Sequence, residues 1–306
     1  MADLDRGAEP ASWTFKLSAG SFHKLSALLT LALLIFAFSF GNAAFFSINN
    51  GLTVLLQTSV IGLLGIGMTM VIITGGIDLS VGSVLALSGT ITGLSIKAGV
   101  PVGLMLIARG VALQLTGAAP ISRLGESFGL LGNGSLFRIV EKTGGIFPKV
   151  VFPGIPYPVI LLAVVALAAA YLLRRRQIGR HIYATGSNEE AARLSGVLVD
   201  RTKIFAYVLS GALAGLAGNV LMSRLVTVQP NEGVMYELDA IAAAVIGGAS
   251  LMGGVGNISG TMIGAVIIGV LRNGLNMAGV SAFIQQIVIG VIVILAVYVD
   301  QIRNRR

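Results

Sequence analysis

Apolar blocks long enough to cross a lipid bilayer alternate with short polar stretches along most of the chain. A helix needs about 20 apolar residues to cross a hydrocarbon core of about 30 Å. Six blocks are near that length, and three more are shorter or broken by glycine: 25–46, 52–73, 158–173, 204–222, 258–279 and 281–299, then 77–96, 102–116 and 238–252. The pattern predicts an all-α, polytopic helical membrane protein with about 8–10 transmembrane helices, including broken or re-entrant segments.

Two pairs of glycines recur at helical spacing within the later blocks. Gly211 precedes Gly215, and Gly260 precedes Gly264, in each case by four residues. Small residues at this spacing let membrane helices approach closely. We therefore expect both pairs to lie at helix contacts, which indicates a tightly packed bundle and says nothing about a ligand.

Acidic residues interrupt two of the short blocks. The stretch ITGGIDLSVG (73–82) contains Asp78 and Ser80, and YELDAIAAAVIGG (236–248) contains Glu237 and Asp239. In both, an acid follows an aliphatic residue within a segment rich in small residues. Paired broken segments in the two halves of a membrane protein indicate a transport site near the bilayer midplane. These four residues are candidates for a translocation path or for caps of broken helices.

Asp78 has two interpretations that the sequence leaves open. An Asp before a helical turn can cap it, because its carboxylate accepts backbone N–H bonds at the positive end of the helix dipole. A charge inside the bilayer can also line a polar path. In the first case Asp78 holds a broken helix in shape, and in the second it hydrogen-bonds a polar solute.

The charges fix an expected orientation. The chain is 55% hydrophobic and only 11% charged, and seven of its 21 basic residues lie in the loop 174–203 while three close the chain. Cytoplasmic loops of membrane proteins carry such an excess of Lys and Arg. We expect a cytoplasmic arm at 1–24, a transmembrane domain at 25–302 and a basic cytoplasmic tail at 303–306. The mixed-charge segment 117–157 should be periplasmic. Concentration of the basic residues in these places also argues against nucleic acid as a partner.

Residue types exclude several kinds of chemistry. The chain has no Cys, and its two His residues, His23 and His181, lie near basic residues at the edges of apolar blocks. No Lys follows a Gly, so the Gly-Lys-Ser/Thr core of a P-loop is absent. We expect no metal site, no cofactor and no catalytic residues.

The basic loop contains a short predicted helix in SNEEAARLSG (187–196). Ser187 and Glu190 have the spacing of a capping box, and Gly196 is placed to end the helix in a left-handed conformation. The helix would be about eight residues and about 12 Å long. It is either a surface for a partner or a solvated connector. The candidate docking residues are Ser187, Asn188, Glu189, Glu190, Ala191, Ala192, Arg193, Leu194 and Gly196.

These residues carry a resemblance. Glu190-Ala191-Ala192 with Gly196 matches the first half of the EAA loop of ABC importer permeases, although the Ile and Leu-Pro of its second half are absent. Four longer stretches resemble the ribose-type monosaccharide permeases of bacterial ABC importers: GIDLSVGSVLAL (76–87), IGRHIYATGSNEEAARLSG (178–196), YELDAIAAAVIGGASLMGG (236–254) and RNGLNMAGV (272–280).

The resemblance runs from about residue 50 to 300 and implies a set of partners. These are a separate ABC ATPase gripping the short helix, a periplasmic sugar-binding protein, a second permease copy and the lipid of the bacterial inner membrane. It implies uptake of a monosaccharide or a related small polyol. Such permeases carry some tens of further residues, including a membrane helix, between Leu94 and Leu106. Losing one helix would put the two basic termini on opposite sides, so we expect an omitted segment here.

Two other classes of function compete with this one. An ion-coupled secondary transporter would use Asp78, Glu237 and Asp239 to carry protons or sodium. A membrane-embedded enzyme has less support, because no nucleophile–base pair or metal-ligand cluster occurs in the sequence. Dependence on an ATPase partner separates the ABC permease from the secondary transporter.

Overall fold

The computed structural model describes residues 19–88, 120, 126–141, 149–229 and 232–304. Within these residues ten helices have defined bounds: α1 Ala19–Gly41, α2 Ile48–Ile73, α3 Glu126–Asn133, α4 Tyr157–Arg175, α5 Gln177–Ser187, α6 Glu189–Leu194, α7 Val199–Leu225, α8 Tyr236–Ile246, α9 Ile258–Met277 and α10 Ala282–Asn304. A short 3₁₀ turn spans Ala43–Phe46, and residues 81–88 are also helical. The predicted helical membrane fold is confirmed. Residues 94–106, most of the 1–24 arm and parts of 117–157 lie outside the described residues.

Among the described residues, four helices are long and apolar enough to cross a membrane, namely α2, α4, α7 and α9. Shorter apolar helical stretches occur at Leu25–Gly41 and Ala282–Leu295. The block 25–46 divides at Asn42, which caps the 3₁₀ turn: its Oδ1 accepts from Ala44 N. Ser47 then caps α2, with its Oγ accepting from Asn50 N. Side-chain caps of this kind satisfy N–H groups that have no partner within the helix.

The helix α2 is the centre of the bundle. In its most apolar stretch 89% of the residues are buried within the chain, whereas the corresponding share in α4 is 22%. A helix that is apolar all round and buried belongs to the core of a bundle, since it has no polar side to offer to water. The helices α7, α8 and α9 pack against it. A hydrogen bond of 2.6 Å between the hydroxyls of Thr69 and Thr261 joins α2 to α9 within this core.

Two of the four expected glycines, Gly260 and Gly264, lie at close backbone contacts. A Cβ added at Gly260 would meet the carbonyl oxygen of Gly247, and one added at Gly264 would meet that of Ala243, so this pair lies at a helix contact as predicted. The prediction for Gly211 is wrong, because a Cβ there would face open space. On α7 the close contact is made by Gly218 instead, against residues of the 81–88 helix.

The two broken segments pack reciprocally. The helical residues 81–88, which follow α2, contact α7: Ser88 Oγ donates to the carbonyl of Gly215 at 2.9 Å. The helix α8, which follows α7, contacts α2: a Cβ added at Gly65 would lie 3.6 Å from the Cβ of Ala243. Each short segment therefore lies on the long helix of the other half. An internal duplication would produce this arrangement, and it stays a prediction.

The segment 117–157 adds short strands to the helical fold. Among its described residues, β1 (Ser135–Leu136) pairs antiparallel with β4 (Ile155–Pro156), and β2 (Ile139–Glu141) pairs antiparallel with β3 (Lys149–Phe152). The helix α3 before them docks on the C-terminal end of α7, where Gly132 N donates to Ser223 Oγ at 2.7 Å and Asn133 Nδ2 donates to the carbonyl of Arg224 at 3.1 Å. These hydrogen bonds attach the segment 117–157 to the helical bundle.

Candidate functional site

The short helix of the basic loop is α6, and its boundaries differ from the expected ones. Asn188, not Ser187, is the cap: its Oδ1 accepts from Ala191 N at 2.9 Å, and its backbone is extended. Ser187 is the last residue of α5, so the predicted capping box with Glu190 is wrong. The helix has six residues rather than about eight. It ends as predicted, with Gly196 at φ +83° and its N–H donating to the carbonyl of Arg193.

Ion pairs hold α6 against the start of α7. The carboxylate of Glu189 accepts from Lys203 Nζ at 2.6 Å and from Arg193 Nη2 at 3.4 Å, and Arg193 lies 3.6 Å from Asp200. The hydrogen bond from Lys203 is the main cause that lowers the pKa of Glu189. These groups are exposed, so they orient the helix rather than stabilise the fold appreciably.

The exposed side of α6 is apolar at one position. Leu194 is 85% exposed, whereas Ala192 is only 4% exposed. Ala192 therefore packs against its own chain, and its expected contact with a partner stays a prediction. Glu190 and Ala191 are also exposed, and with Leu194 they form part of the surface available to a partner. The other exposed candidate docking residues are Ser187, Asn188, Glu189, Arg193 and Gly196.

Immediately before α6, three backbones meet without side chains between them. Gly254 N donates to the carbonyl of Ile73, the last residue of α2, at 2.8 Å. A Cβ added at Gly186 would meet the same carbonyl oxygen, and one added at Gly253 would lie 2.7 Å from the carbonyl oxygen of Gly186. We call Gly186, Gly253, Gly254 and Ile73 the glycine junction. It connects the end of α5 to the end of α2 and to the turn after α8.

The carboxylate of Asp78 bonds to two elements. Its Oδ1 accepts from Ser80 N at 3.0 Å and from Ser80 Oγ at 2.6 Å, at the entrance to helix 81–88. Its Oδ2 accepts from Ser210 Oγ of α7 at 2.8 Å, and the residue is 5% exposed. Asp78 therefore joins the break after α2 to α7. The backbone N–H that it accepts from belongs to Ser80, the residue before the helix, so neither interpretation of Asp78 is decided. Its role in transport stays a prediction.

The acids of α8 have different surroundings. Asp239 has a fully buried side chain and accepts from Arg272 Nη2 at 2.7 and 2.9 Å. Glu237 is half-buried and lies over Gly82, since a Cβ there would meet its carboxylate oxygen. The structure thus brings Asp78, Ser80 and Glu237 close to the start of helix 81–88. Asp239 instead forms an ion pair with Arg272 of α9.

Sequence reasoning missed two partners of these acids, Arg272 and Ser210. Arg272 had a readable signal, because it is a lone charge inside the apolar block 258–279, and a charge at that depth needs a partner. Ser210 had none, since a serine in a membrane helix usually bonds its own backbone. In the part of the chain that the structure describes, no group of three or more His, Asp or Glu side chains is arranged to hold a metal ion.

Comparison with known proteins places this arrangement among permeases. The family described as "branched-chain amino acid transport system / permease component" matches residues 103–297. The ribose import permease protein RbsC of Escherichia coli (strain K12) is 42% identical, over 89% of this chain and 92% of the relative. That of Bacillus subtilis (strain 168) is 40% identical, over 92% and 94%. The xylose transport system permease protein XylH of Haemophilus influenzae is 32% identical, over 95% and 100%.

The alignments also have room for residues that this chain lacks. The alignment with the E. coli ribose permease is 307 positions long yet takes in 89% of the 306 residues, so some of its positions have no counterpart here. This agrees with the expectation of additional residues in such permeases. No solved structure matches the chain.

Proposed function

Because the chain belongs to the same permease family as the ribose and xylose import permeases, we propose that it is the membrane-spanning subunit of a bacterial ABC importer. It moves a monosaccharide or a related small polyol across the inner membrane. A separate ATPase supplies the energy, a periplasmic sugar-binding protein delivers the solute, and the permease works as a homodimer. The basic loop 174–203 and both termini face the cytoplasm, in agreement with the excess of Lys and Arg.

The observation that carries the proposal is the exposed face of α6. A helix of six residues, capped by Asn188 and held by Lys203, presents a leucine that is 85% exposed. Burial of this exposed apolar side chain against a partner protein would be favourable, because it removes apolar surface from water. An ATPase subunit bound there would act on the glycine junction directly behind the helix.

The alternative of ion-coupled transport has less support from the same geometry. Asp239 is paired with Arg272, and the carboxylate of Asp78 accepts from two serines. A carboxylate that carries protons or sodium through a transport cycle has to release such partners.

The two functions are separated by measuring sugar uptake into proteoliposomes that contain the permease and ATPase, with the binding protein outside and ATP inside.

We expect uptake to require both ATP and the binding protein, and to persist when ionophores collapse the proton and sodium gradients. A preparation containing an ATPase with an inactivated ATP site is the matched control and should not transport. Uptake that follows an ion gradient and proceeds without ATP would replace the proposal by secondary transport.

A further inference from the structure

A polar cavity of about 170 Å³ lies between the helices near one end of the bundle. Its lining includes Arg224 from the last turn of α7, Asn276 from the last turn of α9 and Gln285 from the first turn of α10. The helix α7 begins within the basic loop, and its 27 residues span about 40 Å at about 1.5 Å per residue. A bilayer with its headgroup layers is about 40–45 Å thick. Arg224 therefore lies at the level of the lipid phosphates, on the side opposite the basic loop.

The cavity carries a positive charge that the described structure does not neutralise. Arg272, deeper in the lining, is paired with Asp239 at 2.7 Å. No ion pair joins Arg224 to an acid whose side chain the structure describes. The parts of 89–231 outside the described residues contain no Asp or Glu, so they cannot supply one. A guanidinium at the edge of the hydrocarbon region calls for an anionic partner, and that partner has to come from elsewhere.

The same lining offers hydrogen-bond donors that are not in use. The buried Nε of Arg272 has no partner in the structure, although Nη2 of this residue binds Asp239. Gln285 is 4% exposed, and its Nε2 donates to Asn276 Oδ1 at 3.0 Å and to the carbonyl of Val280 at 2.9 Å. These bonds fix the amide of Asn276 and leave its Nδ2 available as a donor. Asn276 is exposed, so the cavity is open at this residue.

Charge and donors together select a phosphate group. The guanidinium of an arginine matches the oxygens of a phosphate, and hydrogen bonds between charged groups are stronger than those between neutral groups. Basic pockets between membrane helices bind the headgroups of anionic lipids in this way. The rest of the wall is aliphatic and suits the first part of an acyl chain better than it suits an ion surrounded by water; it consists of Val60, Ile61 and Leu221.

We propose that this cavity binds one phosphate group, carried by an anionic lipid or present as free phosphate, with Arg224 as its counter-charge and Asn276 and Arg272 as further donors. The level of Arg224 in the bilayer and the aliphatic wall favour the lipid. The anion stays with the permease, so the proposal is independent of the solute that is transported and of the energy source.

Native mass spectrometry of the full-length permease tests the proposal. The protein in detergent is titrated with dioleoyl phosphatidylglycerol, and the lipids retained by each chain are counted. Arg224→Gln removes the charge. Asn276→Asp is the second variant, because it keeps the acceptor that Gln285 uses while adding a negative charge at the opening. Arg138→Gln is the matched control, since Arg138 is exposed between β1 and β2 and does not line this cavity. Size-exclusion profiles and melting temperatures identify the variants that are folded.

We expect the Kd of one retained lipid to rise at least about tenfold in Arg224→Gln, because a hydrogen bond between charged groups is lost. The Kd should rise in Asn276→Asp as well and stay unchanged in Arg138→Gln. Diolein, which has the same acyl chains and no phosphate, should not occupy the site. Sodium phosphate at constant ionic strength distinguishes the two sources. Lipid that phosphate does not displace identifies the lipid as the ligand. Displacement, with a rise in melting temperature that Arg224→Gln lacks, identifies free phosphate.

Four results would overturn the inference. The first is equal affinity for phosphatidylglycerol in the unmodified protein, Arg224→Gln and Asn276→Asp, with no effect of phosphate on melting. The second is equal affinity for diolein, which assigns the binding to acyl contacts. The third is tighter lipid binding by Glu126→Gln at the start of α3, which shows that an acid of this chain already neutralises the site. The fourth is loss of a dimer in Arg224→Gln with lipid binding unchanged, which assigns the counter-charge to a second copy.

Discussion

Truncation of Leu194 should weaken the permease–ATPase complex without affecting the fold. The side chain is 85% exposed, so nearly all of its apolar surface is available to a partner. Leu194→Ala removes the equivalent of two to three buried methylene groups at about 0.8 kcal/mol each, or about 2 kcal/mol of binding free energy. That loss corresponds to an increase of about thirtyfold in the Kd for the ATPase.

The assay is a titration of the ATPase subunit onto the permease in nanodiscs, together with ATP-driven uptake by the reconstituted complex. The melting temperature of Leu194→Ala should stay within about 1 °C of the unmodified protein, since an exposed side chain contributes little to stability. Leu167→Ala is the matched control, because Leu167 is 72% exposed but lies on the spanning helix α4. An unchanged Kd for Leu194→Ala would refute docking through this residue, and α6 would then be a solvated connector.

Three further predictions concern buried positions. Ala192→Glu should reduce the yield of folded permease, because it buries a charge at a site that is 4% exposed; a folded but uncoupled variant would instead support contact with the ATPase. Asp78→Asn should keep near-normal stability and uptake while Asp78→Ala lowers the free energy of unfolding by about 1–3 kcal/mol; if Asp78→Asn assembles yet cannot transport, the residue acts in the path. Asp239→Ala should cost about 3 kcal/mol, since it leaves a buried Arg272 unpaired, and Asp239→Leu combined with Arg272→Met should recover most of it in a double-mutant cycle; additive losses would contradict the pairing.

Spanning helices could be predicted from the sequence because the bilayer sets their length. The block 158–173 became Tyr157–Arg175, and 258–279 became Ile258–Met277, each within two residues. The break near Asp78 was also predictable, since a carboxylate between glycines has no place in an uninterrupted apolar helix.

The errors have a common physical origin in tertiary contacts. Ser187 and Asn188 are both good caps, and the choice between them depends on α5, a helix of mixed polarity that the apolar pattern did not predict. Arg272 lies 33 residues from Asp239, and no local pattern assigns one to the other.

The glycine junction determines how stiffly the loop is connected to the core. At most helix contacts, interposed side chains can change rotamer and absorb a displacement of several tenths of an ångström. Where Gly186 meets the carbonyl of Ile73 there is no side chain to do so. A push on α6 is therefore met by peptide groups already in contact, and it can be accommodated only by rotation of backbone torsions in the 74–78 turn or in the turn after α8. We therefore expect an alanine at position 186 to displace the end of α5 from the end of α2, because its Cβ would meet the carbonyl oxygen of Ile73.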